Sequence, residues 1–169
     1  MALMGLRKTA WSQERKSPTS RTEHNRISVP LHVQLRPHTA GSELLKLSVI
    51  NETTKGVSAI IFFACIQDRR GRSILSIRDQ NTYDLSMRKK RLMTLVHMYL
   101  IHRYKIEAVH YVTPKQDNQY QAEKMKDLGI YSSVNTEIGQ IIVASVNERR
   151  ITELLNPDRV ALCQLIERR

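Results

Sequence analysis

The chain of 169 residues is long enough for one domain with a real core and needs no second one. Its 27 Lys and Arg against 16 Asp and Glu leave a net charge of +11, and aromatics are few, with Trp11 the single tryptophan and Phe62 and Phe63 the only phenylalanines. No run approaches the roughly 18 apolar residues of a membrane span, so no spanning helix is expected. The charge points to polyanionic partners as a class: nucleic acid, an anionic surface, or phosphate-bearing ligands such as nucleotides and coenzyme A.

Residues 1–41 are basic, broken by Pro18, Pro30 and Pro37 and without sustained periodicity, and read as a poorly ordered basic N-terminal extension. Met1 to Ser20 has the faint composition of an organellar transit peptide but lacks the apolar segment of a secretory signal. Within the extension, Ile27 to Leu35 alternates well enough for a short strand that Pro30 would confine to a sheet edge. The domain proper is expected over 42–169. Alternation of Leu45, Leu47 and Val49 predicts a half-buried strand from Ser42 to Ile50, and Asn51 to Gly56 a hairpin connection. Val57 to Gln67 is nearly continuous in apolar, β-branched and aromatic residues, the pattern of a central strand buried on both faces. After the turn Asp68-Arg69-Arg70-Gly71-Arg72, Ser73 to Arg78 completes an antiparallel meander.

A helix is predicted from Leu85 to Arg103 with one buried face, then a strand from Ile106 to Thr113. A strand, helix and strand in that order make a right-handed crossover that sets the two strands parallel, and ligands favour the crevice at such a place in α/β sheets. Asp117 is the expected cap of a second helix, Asn118 to Leu128, which Gly129 ends. The last strand is expected over Glu137 to Val146, followed by short helices Glu148 to Leu155 and Asp158 to Arg168, capped at Asn147 and Asn156.

Arg88-Lys89-Lys90-Arg91 falls at the predicted start of the first helix. Cations there oppose the helix dipole at a cost of roughly 0.3–1 kcal/mol each, unless an anion binds the same turn and reverses the sign. Two readings stand, an anion site and a solvated basic face. Asp79, Gln80 and Asn81, at the end of the preceding strand, carry donors and acceptors suited to an amide-rich ligand such as pantetheine, or else form a turn that satisfies its own backbone. Cys65 and Cys163 lie far apart in apolar patterns and read as buried structural thiols of a reducing compartment. His97 and His102 stand five residues apart, off the i+3 and i+4 spacing of helical metal ligands, so no metal is expected.

This element order resembles the GNAT fold of acyl-CoA N-acyltransferases: α+β, with a mixed, mostly antiparallel sheet, a β-α-β crossover and helices on both faces. In that family a glycine-containing loop holds the coenzyme A pyrophosphate; the equivalent segment here, Arg88 to Met93, has no glycine. Asn118 to Gly129-Ile130 looks like the second motif, and Met125 stands where many members carry a general-acid tyrosine. A closer resemblance, over residues 42 to 167, is to the C-terminal domain of the long-form isocitrate lyases. It is carried by the phrases Asp68 to Asn81, Lys90 to Leu95, Val109 to Pro114 and Glu153 to Leu162. It implies a regulatory, acetyl-CoA-responsive module; the lyase's Lys-Lys-Cys-Gly-His motif has no counterpart around Cys65 or Cys163.

The resemblance and the residues together lead to these expectations. The chain binds acetyl-CoA, a related acyl-CoA or another phosphorylated metabolite through Arg78, Asp79, Gln80, Asn81, Arg88, Lys89, Lys90, Arg91 and Asn118. It is non-catalytic, homo-oligomeric and cytoplasmic, and serves the glyoxylate cycle beside a lyase catalytic chain. The alternative is an active N-acyltransferase, for which Glu107 and Tyr111, on one face of a strand with His110 on the other, are the available acid–base groups. A third class is nonspecific nucleic-acid binding through the basic tail and Arg69, Arg70 and Arg72, against which stands the lack of aromatic residues interleaved with the cations.

Overall fold

A computed structural model describes residues 30–88, 92–137 and 140–154. They form strands β1 (Leu31–Pro37), β2 (Leu45–Asn51), β3 (Val57–Gln67), β4 (Ser73–Thr82), β5 (Ala108–Tyr111), β6 (Tyr131–Glu137) and β7 (Ile141–Val146), with helices α1 (Leu92–Tyr104), α2 (Gln116–Asp127) and α3 (Glu148–Leu154). The strands make one sheet in the order β1-β2-β3-β4-β5-β7-β6. Among the described strands only β4 and β5 pair in parallel, across the crossover through α1. This is an α+β, GNAT-like arrangement.

Local chemistry sets the meander. Asn51 Oδ1 accepts the backbone N–H groups of Thr53 and Thr54, at 2.9 and 3.2 Å, and closes the β2–β3 turn. Asp68 does the same between β3 and β4, accepting from Arg70 N and Arg72 N while its other oxygen takes Arg72 Nε at 2.7 Å. The inward residues Ala59, Ile61 and Phe63 of β3, Leu75 and Ile77 of β4 and Val109 and Tyr111 of β5 share one core with α1, Ala122 and Met125 of α2, and Ile151 and Leu154 of α3.

Several predicted boundaries move. β1 pairs in register with β2 as the sheet edge, so the sheet already begins at Leu31, inside the stretch assigned to the extension. β4 runs four residues past Arg78: Asp79, Gln80 and Asn81 are ladder residues opposite Phe62, Ile61 and Ile60, not a loop. Leu85 to Arg88 form a turn rather than a helix start, because Asp84 Oδ1 draws in the N–H and hydroxyl of Ser86, at 2.9 and 2.6 Å. Nor is α1 amphipathic; Leu92 and every residue from Thr94 to Ile101 are buried, as in a helix covered around its circumference. The cap of α2 is Lys115, two residues before the expected Asp117, with Asn118 Oδ1 accepting Lys115 N at 2.7 Å. β6 was not expected at all, since Ser132, Ser133, Asn135 and Thr136 give it the polarity of a loop. Cys65 is exposed near the end of β3 rather than buried. Cys163 and the helix expected over Asp158 to Arg168 lie outside the described residues, as does the Asn156 cap.

Other signals hold. Asn147 caps α3, its Oδ1 accepting Arg150 N at 3.2 Å. Gly129 ends α2 at φ +77°, with Gly129 N donating to Lys126 O and Ile130 N to Met125 O, the closure that needs a left-handed residue. A Cβ there would meet only the flexible Arg150 side chain, at 3.4 Å, so the penalty is conformational. Gly129→Ala should therefore lower stability by about 1–2 kcal/mol in urea titration with the fold intact; an unchanged midpoint would show that the turn does not depend on glycine.

Candidate ligand site

The parallel pairing of β4 and β5 covers only Ile74 to Ile77 against Ala108 to Tyr111. It ends where β4 takes an extra residue: Phe62 faces Asp79 and Phe63 faces Ile77, leaving Arg78 without a partner on β3. Such an insertion bends a strand and interrupts its ladder. Two bonds mark the last contact between the diverging strands, Val112 N to Ile77 O at 3.1 Å and Thr113 Oγ1 to Arg78 O at 3.0 Å. Past them a small, shallow recess opens between β4 and the start of α2. Ile77, Tyr111, Val112 and Pro114 give it apolar walls; Arg78, Asp79, Gln80, Thr113 and Asn118 give it polar ones. An exposed ion pair, Lys115 Nζ to Asp79 Oδ1 at 3.1 Å, joins α2 to β4 beside it. A pair so open to water contributes little to stability, at most about 1 kcal/mol.

A second shallow depression lies between β1, β2 and α1. It is lined by Leu31, Val33, Val49, Leu92, Leu95, Val96 and Tyr99 and has no polar surface with which to orient a ligand. The recess at the strand divergence is the better candidate, since binding sites combine apolar walls with a few placed polar groups.

Beneath this recess runs a polar chain that sequence reasoning missed. His97, on α1, is fully buried. Its Nε2 is 2.6 Å from Gln80 Oε1, and its Nδ1 is 3.3 Å from the Tyr131 hydroxyl and 3.4 Å from that of Tyr111. The two hydroxyls are 3.0 Å apart, and Gln80 Nε2 donates to Gln121 Oε1 at 2.6 Å. Proton counting at the imidazole and the two phenols favours one direction. With the His97 proton on Nε2, donated to Gln80, one phenol donates to Nδ1 and the other to the first phenol, so every imidazole and phenol proton is used. With the proton on Nδ1, one buried phenol would have no acceptor among the described residues. The chain therefore runs from the tyrosines through His97 and Gln80 to Gln121, whose Nε2 is buried and has no hydrogen-bond partner among the described residues.

Burial pushes the His97 pKa down from 6.5 to about 3 and raises those of Tyr111 and Tyr131, so all three are neutral near pH 7. The unfolded chain takes up a proton at this histidine below pH 6.5 whereas the folded one does not, so its contribution to stability is complete above pH 6.5 and is lost as pH falls towards 3. Between pH 7 and 5 the loss should be about 2 kcal/mol. Urea titrations at both values should show it in the wild type and not in His97→Gln; equal pH slopes would contradict the buried neutral imidazole.

The residues singled out from sequence distribute unevenly. Arg78, Asp79, Gln80 and Asn118 come together at the recess. Asn81 is exposed on β4 outside it, and Arg88 is exposed with its Nε donating to Thr82 O at 3.1 Å. Lys89, Lys90 and Arg91 lie outside the described residues. Glu107 and Tyr111 do not converge: Tyr111 is a buried wall of the recess, whereas Glu107 is exposed before β5 with its Oε2 accepting Ser73 N at 2.9 Å. Met125 is a fully buried core residue. Among the described residues no three His, Cys, Asp or Glu side chains are grouped to hold a metal, and no helix is long and apolar enough to cross a membrane.

The fold and the recess define a GNAT-like domain. No family model matches the chain. Over 143 residues, 85% of the chain, it is 57% identical to a putative isocitrate lyase subunit of Mycobacterium tuberculosis, and equally to the isocitrate lyase 2 proteins of Mycobacterium tuberculosis and Mycobacterium bovis. The match spans 36% of the putative subunit and 18% of each isocitrate lyase 2. The chain is thus similar to one part of these longer isocitrate lyase proteins.

Proposed function

We propose that the chain is a non-catalytic acyl-CoA-binding domain that acts with, and regulates, an isocitrate lyase catalytic chain. The observation that carries this reading is the recess where β4 and β5 diverge, with apolar walls for an aliphatic arm and the Asn118 amide at the start of α2. The relatives share this domain as a minor part of their length, which fits a module distinct from a catalytic body. Acyl transfer would need a base and an acid at one place. Here Glu107 is engaged at the far end of β5, and Tyr111 is a neutral, buried phenol with its pKa raised. The basic hairpin tip is a weaker polyanion site than its composition suggests, because Arg72 is already held by Asp68.

Calorimetry of the purified chain against coenzyme A, acetyl-CoA and propionyl-CoA tests the reading. Binding without acetylation of small amines is the expected result, and the Arg88→Ala/Lys89→Ala double variant should bind about tenfold more weakly, a change of roughly 1.4 kcal/mol, at unchanged melting temperature. No heat with any of the three ligands would reject acyl-CoA binding; turnover of amines would make the chain an acyltransferase.

A further inference from the structure

The central strands carry a second set of buried residues, separate from the core. Phe63, Leu75 and Val109 share the core with residues of α1, α2 and α3, whereas Ala64, Ile74 and Ala108 are buried without belonging to it. Side chains alternate along a strand, so the second set points to the other face of the sheet. The register aligns that face in two rungs across β3, β4, β5 and β7: Ile66, Ile74, Ala108 and Ser145, then Ala64, Ser76, His110 and Val143.

Ile74 has no exposed surface, and Ala108 and Ser76 are only 1% and 2% exposed. Side chains stand roughly perpendicular to a sheet, so neighbours as short as alanine and serine cannot roof an isoleucine between them. Ile66 beside it is itself half-exposed, and Arg72, just before β4, is turned to Asp68 with its Nε 2.7 Å from Oδ2. Shielding of this depth calls for a layer above the sheet.

Residues 155–169 are well placed to supply it. β7, which carries Val143 and Ser145 of the two rungs, leads through α3 directly to residue 155. Residues 1–29 instead reach the sheet at β1, two strands from β3, and at its opposite end, where Pro30 O accepts Glu52 N beside the β2–β3 turn. In the later segment Ala161, Leu162, Leu165 and Ile166 recur at the spacing of one helix face, with Gln164, Glu167 and Arg168 opposite. A helix over 158–168 is about 16 Å long. The four strands of the patch span roughly 14 Å, and the small residues at its centre let a helix come close.

We propose that residues 158–168 form an amphipathic helix that docks on this second face, with Leu162, Leu165 and Ile166 over Ile74 and Ala108. The sheet is then covered on both sides, which accounts for the continuous apolar run of β3. This face is separate from the β4–β5 recess, and the proposal does not depend on acyl-CoA binding.

A nitroxide at Gln164→Cys, in the full chain with Cys65→Ser and Cys163→Ser, sits on the polar side of the helix and reports its position through loss of amide signals. Residues 64–66, 74–76 and 108–110 should lose most signal, ahead of 92–99 beside the apolar depression and 112–118 at the recess. The same signals should survive when the spin-labelled chain is mixed with isotope-labelled chain that carries no nitroxide. Leu162→Ala/Leu165→Ala should lower the urea midpoint, and Gln164→Ala should leave it unchanged. Loss centred on the depression, on the recess or on no residue of 30–154 would overturn the proposal. Loss in the mixed sample would assign the face to a second copy of the chain and overturn it as well, as would a midpoint unmoved by the double variant.

Discussion

The short parallel ladder between β4 and β5 is the constraint on which the rest of the site depends. Four residue pairs hold the strands together, and one extra residue, Arg78, makes β4 turn aside where the ladder stops. Parallel strands must be joined by a crossover, so α1 is packed over this region. α2 then starts a few residues after β5, which brings Asn118 to the opening. Neither a longer ladder nor a regular β4 would leave a recess there.

Below the recess the core is polar where it could have been aliphatic. His97, Tyr111, Tyr131, Gln80 and Gln121 come from α1, β5, β6, β4 and α2, so one chain of hydrogen bonds ties together the elements that surround the site. Each member is neutral, which keeps the cost of burial to hydrogen-bond matching and avoids the far larger cost of an ion. Buried polar networks of this kind specify a single arrangement of the elements they join, because any slip leaves a group unmatched.

The fold was legible where the sequence speaks in periods and turns. The continuous apolar run of β3, the Asn51 and Asp68 turns, the Gly129 stop and the Asn147 cap all follow from residue type alone, and each is where the side chains put it. β6 was not legible: an edge strand needs one apolar face at most, and with serines, asparagine and threonine it reads as a loop until β7 is beside it. The end of β4 failed for a related reason, since Asp79, Gln80 and Asn81 are poor strand formers held in the ladder by β3. Half of the site was visible as a polar cluster before a helix. His97, Tyr131 and Gln121 were not, because their bonds span 14 to 41 residues of sequence and no local spacing announces them. The apolar residues around His97, which made α1 look like an ordinary packed helix, were the available hint that a histidine there had to be neutral and bonded.

Titration of the isotope-labelled chain with coenzyme A, followed by amide chemical shifts, addresses the placement of the ligand most directly. If the arm lies between the diverging strands, the largest shifts will fall on residues 77 to 80 and 111 to 118. Shifts confined to the Arg69 to Arg72 hairpin or to the apolar depression beside α1 would place the ligand elsewhere and contradict a site built on the β4–β5 divergence.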